Sequence, residues 1–173
     1  MEEYLDSGKI DGTIASIQCK DRAGSKHMPE TLFSIANAAA LSGWIALLFA
    51  PFAPKTIDLF AGWGLPAILS LGYSIIILVH FADAPGGFQT LADVQLLFSD
   101  AYVVLGGWIH YLAFDLFIGA WVVRDARNHG IPHWCVVPIL PFVFLLGPFG
   151  LLAYLCLRLV LKAAPRFTEA KAA

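Results

Sequence analysis

The sequence predicts an all-α integral membrane protein, a four-helix bundle with a short interfacial helix between its second and third spans. Composition is the first reason: 58% of the residues are hydrophobic and 14% are charged, against roughly 45–50% and 25% in soluble domains. The second is spacing, because four apolar runs each approach the roughly 20 residues needed to cross about 30 Å of hydrocarbon. They cover about 32–53, 60–80, 102–123 and 134–157, inside a membrane domain of residues 32–162. The third is that the basic residues flank these runs and do not interrupt them.

Residues 1–31 read as a mobile polar tail, with Gly8, Gly12 and Gly24 and few large apolar residues. The run that follows is too long for the apolar core of a cleavable signal, and Glu2 and Glu3 disfavour an organelle transit peptide, so the first span reads as a retained signal-anchor. Ala36, Ala39, Ala40 and Gly43 give that span a small-residue face for close helix packing, with Asn37 placed to hydrogen-bond across to another helix or to a ligand. After the second span, Pro85-Gly86-Gly87 breaks the chain. Thr90 with Asp93 three residues on resembles a capping box that opens a short helix through Phe98. Its apolar residues Leu91, Val94, Leu97 and Phe98 suit either the membrane interface or an ordinary connection.

The fourth run contains Pro138, Pro141 and Pro148, the last inside Gly147-Pro148-Phe149-Gly150. Each proline removes a backbone donor, so a kinked or broken helix is expected, and a neighbouring helix or a cavity must satisfy the freed carbonyls. Residues 163–173 form a C-terminal tail. Lys20, Arg22 and Lys26 precede the first span and Arg158, Lys162, Arg166 and Lys171 follow the last, while the opposite side carries only Lys55, Arg124 and Arg127, which puts both termini in the cytoplasm. The loop from Phe81 to Ala101 should share that side, yet it carries Asp83, Asp93 and Asp100 and no Lys or Arg.

Several function classes have no support. A formal charge of -2, with no basic stripe interleaved with aromatics, leaves no nucleic-acid footprint. Cys19, Cys135 and Cys156 form no CxxC pair, so neither a zinc site nor a disulfide framework is expected. His129 and His133 have metal-ligand spacing, but Gly130 and Pro132 favour a turn over the helix that would align them, and no metal is expected. GxGxxG, Walker A, GxSxG and HExxH motifs do not occur.

The chemistry concentrates in Trp108–Trp121, WIHYLAFDLFIGAW, where Asp115 sits near the middle of an apolar span. An ionisable group there costs about 2.5 kcal/mol or more on insertion scales, so it must face a helix, a partner or a polar cavity. At about 100° per residue, Trp108, Tyr111, Asp115, Gly119 and Val122 share one stripe, while His110, Phe114, Phe117, Trp121 and Arg124 share the other. His110 and Asp115 diverge by about 140° and form no simple acid-base dyad on a regular helix. Tyr111 is placed to donate to Asp115, and Gly119 leaves room beside the carboxylate. Asp115 is either a functional carboxyl group or a polar bond between helices. The second stripe is an aromatic wall about 21 Å long from His110 to Arg124. It suits either a long apolar ligand with polar ends or lipid-facing aromatics with Arg124 snorkelling to headgroups.

The pieces LFSIANAAALSGWIALLFAP, WIHYLAFDLFIGAW followed by RDARNHGIPHW, and GPFGLLAYL resemble the abscisic-acid-deficient-four family of small membrane proteins, over roughly Leu32 to Leu161. Plant members of that family are required for neoxanthin formation from violaxanthin, as catalyst or as essential accessory. The resemblance implies a carotenoid or other long apolar ligand, and the lack of a transit-like leader points to a bacterial plasma membrane. Opening a 5,6-epoxide to an allene needs an acid, a base and no redox cofactor. Asp115 is then the expected acid with Tyr111 orienting it, His110 the base if the helix distorts or the ligand wraps around it, and Arg124 the anchor for a ring hydroxyl. Phe114, Phe117, Trp121 and Asn37 would contact the ligand. The alternatives are a non-catalytic carotenoid- or lipid-binding accessory of a membrane enzyme, as a partner or a homo-oligomer, and, third, a proton-coupled transporter.

Overall fold

The computed structural model describes residues 27–163, which are helices and short connections with no strand among them. In chain order the helices are α1 (His27–Leu48), α2 (Pro54–Asp83), α3 (Leu91–Leu97), α4 (Ala101–Asn128), α5 (His133–Leu146) and α6 (Pro148–Ala163). The expected tails, residues 1–31 and 163–173, lie outside the described residues except where they open α1 and close α6. Three helices, α1, α2 and α4, are long and apolar enough to cross a membrane.

α4 is the central post. Asp100 caps its start by accepting from the Tyr102 and Val103 N–H groups at 2.9 and 3.0 Å. α2 packs antiparallel along it: Asp58 pairs with Arg127, Trp63 meets Phe117, Tyr73 meets His110, and His80 stacks on Tyr102. α1 runs parallel to α4, since Asn37 bonds Trp108 near one end and Trp44 covers Gly119 further along. The core therefore lines α4 on both flanks, from Leu105, Ile109 and Leu112 to Leu116, Ala120 and Val123.

α2 begins with an unforeseen irregularity. Residues Asp58–Gly64 wind as a π-helix, and the Leu65 N–H bonds the Phe60 carbonyl five residues back. Pro66, one residue beyond, has no N–H for the Gly62 carbonyl and its ring crowds that carbonyl, so a wider turn relieves the strain. The capping box is present as expected: Thr90 and Asp93 bond each other reciprocally, and α3 ends at Leu97. Leu97 is buried and Phe98 lies on Gly107 of α4, so the short helix is anchored to the bundle by these two residues.

The fourth run departs most from expectation. It is two helices, α5 and α6, separated at Gly147, which has a φ of +39°. α5 is itself interrupted between His133–Val136 and Leu140–Leu146, around Pro138 and Pro141. It starts beside the C-terminal end of α1, where His133 Nε2 lies 3.2 Å from the Leu48 carbonyl, and descends along α4 until Tyr111 donates to the Phe144 carbonyl at 2.7 Å. There the chain turns. Gly150 packs on the Val143 backbone, and α6 climbs back until Tyr154 reaches Asp125 and Arg158 reaches His129. The pair is a helical hairpin that enters halfway along α4 and leaves at the end where it came in.

Two expectations are corrected by this turn. The fourth run does not form a continuous span, so the bundle has three full-length helices and one half-depth hairpin. And His27 and Arg158 lie at opposite ends of α4, so the described chain does not begin and end on one side. The physical cause is the proline at 148: without its N–H the helical ladder ends with the Gly147 N–H on the Val143 carbonyl, and the Phe144 carbonyl left free finds Tyr111.

Tyr111→Phe leaves that carbonyl unbonded, and thermal unfolding in detergent should show a loss of about 1–3 kcal/mol. Gly147→Ala should lower the midpoint further, because its Cβ would lie 2.8 Å from Asp115 Oδ1 at a backbone angle that side chains rarely adopt.

Candidate functional site

The tip of the hairpin meets α4 at Asp115, close to the midpoint of the 28-residue helix. Asp115 is 9% exposed, and its Oδ2 has no hydrogen-bond partner. Gly147 sits directly against the carboxyl group, at the turn where α5 ends and α6 begins. Trp44 of α1 closes another side: its ring lies on Gly119, one turn beyond Asp115, and meets Phe144 edge-on at 5.4 Å between centroids. The Trp44 Nε1 donor is also buried without a partner. An acceptor and a donor thus stand unpaired in one apolar interior, where each would ordinarily be bonded. Such an arrangement can pass a proton to, or accept one from, an oxygen atom brought to the carboxyl group.

Tyr111 shares the face of Asp115 and lies within reach of its carboxyl group, while its hydroxyl donates to the Phe144 carbonyl at 2.7 Å and so also holds the hairpin. His110 points the other way, stacked on Phe114 at 4.5 Å and tilted against Tyr73 of α2 at 5.6 Å. α4 is regular through this region, so the structure does not bring His110 and Asp115 together. Asn37 accepts from Trp108 Nε1 at 3.0 Å and donates to the Phe33 carbonyl, which makes it a link between α1 and α4.

The aromatic wall divides between two neighbours. Phe114 and Phe117 face α2 and border a cleft of about 290 Å³ with Trp63 and Pro66. Arg124 on the same side sits over the Trp63 ring at 5.9 Å, a cation–π contact, beside the π-helical turn. Trp121 instead meets Tyr154 of α6 edge-on at 5.8 Å. Asp115 does not line the cleft at Phe114 and Phe117.

A polar cluster that sequence reasoning did not single out fastens the hairpin. Tyr154, fully buried, donates to Asp125 Oδ2 at 2.6 Å, and Arg158 Nε lies 3.3 Å from the same oxygen. Arg158 also approaches His129 Nε2 at 2.9 Å, while His129 Nδ1 lies 2.7 Å from the Asp125 carbonyl. Arginine can only donate, so Nε2 accepts and the ring proton sits on Nδ1. A signal was present: Asp125 and His129, like Tyr154 and Arg158, are spaced i, i+4 on apolar helices. His133 turns away to the Leu48 carbonyl, so the two imidazoles do not converge.

Fold and site together define a helical membrane protein whose central span holds a buried carboxyl group against a broken, half-depth hairpin. The chain matches the family model described as ABA DEFICIENT 4-like over residues 31–154, and it belongs to that family. No curated protein and no solved structure matches it.

Tyr154→Phe should destabilise the protein by about 1.5–3 kcal/mol, since it removes a bond to a charged group. In a double-mutant cycle with Asp125→Asn, followed by thermal unfolding, the two changes should be strongly non-additive.

Proposed function

We propose that the protein isomerises an epoxide on a carotenoid-like polyene dissolved in the membrane, with Asp115 moving the proton. The observation that carries this reading is the buried Asp115 carboxyl group with its unpartnered Oδ2 at the middle of a span. Membership of the ABA DEFICIENT 4-like family supports the substrate class, since the plant members it resembles are needed for neoxanthin formation. In its protonated form the carboxyl group gives its proton to the epoxide oxygen as the carbon–oxygen bond opens, leaving a hydroxyl. The neighbouring C–H bond then breaks, its electron pair becomes the new double bond of the allene, and its proton returns to the carboxylate. Atoms and electrons balance without an oxidant or reductant. One carboxyl group acts as acid and then as base, and His110, on the opposite stripe, takes no part in either transfer.

A second reading is favoured by the cleft at Phe114 and Phe117. It is apolar, lies on the face of α4 away from Asp115, and suits an isoprenoid chain held without reaction, as in an accessory that stabilises a partner enzyme.

Expression in a host that makes violaxanthin but no neoxanthin tests both. The isomerase reading expects a new allenic pigment from the native chain and a fall of about 10²-fold or more with Asp115→Asn. Unchanged pigment from well-folded protein, or full activity of Asp115→Asn, overturns it. Coloured protein purified in mild detergent without turnover, and with colour lost in Phe117→Ala, establishes the binder.

A further inference from the structure

Because the hairpin returns to its point of entry, the basic residues gather at one end of the bundle. Lys55, Arg124, Arg127, Arg158 and Lys162 all lie toward the Asn128 end of α4. The two carboxylates at that end are already engaged: Asp58 pairs with Arg127 at 2.6 Å, and Asp125 is held by Tyr154 and Arg158. The Ala101 end carries Glu30, Asp83, Asp93 and Asp100, and Lys20, Arg22 and Lys26 precede α1, which starts there. The five Lys and Arg residues at the Asn128 end outnumber these three, and a bias of Lys and Arg toward one end is the asymmetry that membrane insertion reads.

A cleft of about 270 Å³ opens at the basic end between the end of α1 and the end of α4. Ala50, Val123 and Ile131 give it an apolar lining, while Arg127 and His133 supply its polar side. The Arg127 side chain is 41% exposed and uses one guanidinium nitrogen on Asp58, so other N–H donors remain for an incoming anion. The apolar lining beside the Arg127 guanidinium matches a phospholipid: one acyl chain on the lining, the phosphate at Arg127.

We infer that this end of the bundle is a docking surface for anionic phospholipid, seated in the cleft between α1 and α4, and that it faces the cytoplasm. The inference does not depend on the isomerase reading. It also accounts for the acidic loop between α2 and α4, which the structure places at the opposite end from the C-terminal basic residues.

The full chain is reconstituted into nanodiscs of equimolar phosphatidylcholine and phosphatidylglycerol, and retained lipid is counted by native mass spectrometry. Phosphatidylglycerol should be enriched. Arg127→Gln should lower the enrichment by about fivefold, the equivalent of one basic contact, and Arg127→Lys should restore part of it. Inorganic phosphate should not displace the lipid. Equal retention of both lipids, enrichment unaffected by Arg127→Gln, or displacement by phosphate overturns the docking surface. With native cysteines replaced, a membrane-impermeant maleimide on intact bacterial cells should label Gln89→Cys and spare Asn128→Cys until the cells are opened. The reverse pattern overturns the orientation.

Discussion

Pro148 has no N–H to offer the carbonyl of Phe144, and in a membrane interior a carbonyl without a donor is expensive to leave unbonded. Tyr111 of α4 supplies the missing donor at 2.7 Å. That single bond links the break in the fourth apolar run to the middle of the central helix, and the remaining architecture follows from it. The chain cannot continue as a helix beyond Leu146, Gly147 adopts a positive φ, and α6 leaves in a direction that returns it to the starting side. The tight approach of Gly150 to the Val143 backbone is what lets two half-depth helices pack as a pair.

The same turn sets the chemistry of the interior. The end of α5 and the start of α6 meet beside the only buried charged side chain among the described residues, Asp115. Discontinuous helices recur where membrane proteins must handle a polar group away from water, because a helix end has free backbone donors that a continuous span lacks. Around Asp115 the Trp44 indole and Tyr111 phenol complete an enclosure whose polar atoms are few and incompletely paired. The opposite face of α4, with Phe114, Phe117 and Arg124, serves α2 and its π-helical turn, so the two stripes of the central helix have separate duties.

Family membership and geometry bear on different parts of the functional reading. The family match runs from Thr31 in α1 to Tyr154 in α6 and so includes every residue at the hairpin tip. The isomerase proposal takes its substrate class from that membership and its acid from the geometry, which separates Asp115 from His110. Far from this centre, Asp125, His129, Tyr154 and Arg158 lock the open ends of the hairpin to α4, so the tip is held at depth by polar contacts nearer the surface.

Much of this protein is determined by local rules that a sequence displays openly. Apolar runs of membrane length, the Thr90–Asp93 capping box, the small-residue face of α1 and the divergence of His110 from Asp115 each depend on residue type and helical period alone. Asp115 stood out because a carboxylate in an apolar run is costly wherever that run packs. The direction of the chain after a break is another matter. Pro148 announces an interruption, but a kinked span and a reversing hairpin share the same sequence signal, and only contacts with α4 separate them. Those contacts join Tyr111 to Phe144 and Asp125 to Tyr154 across 33 and 29 residues. Which end of the bundle collects the positive charge, and what surrounds Asp115, were therefore decided by tertiary packing, because they depend on where distant helices meet and not on the period of any one of them.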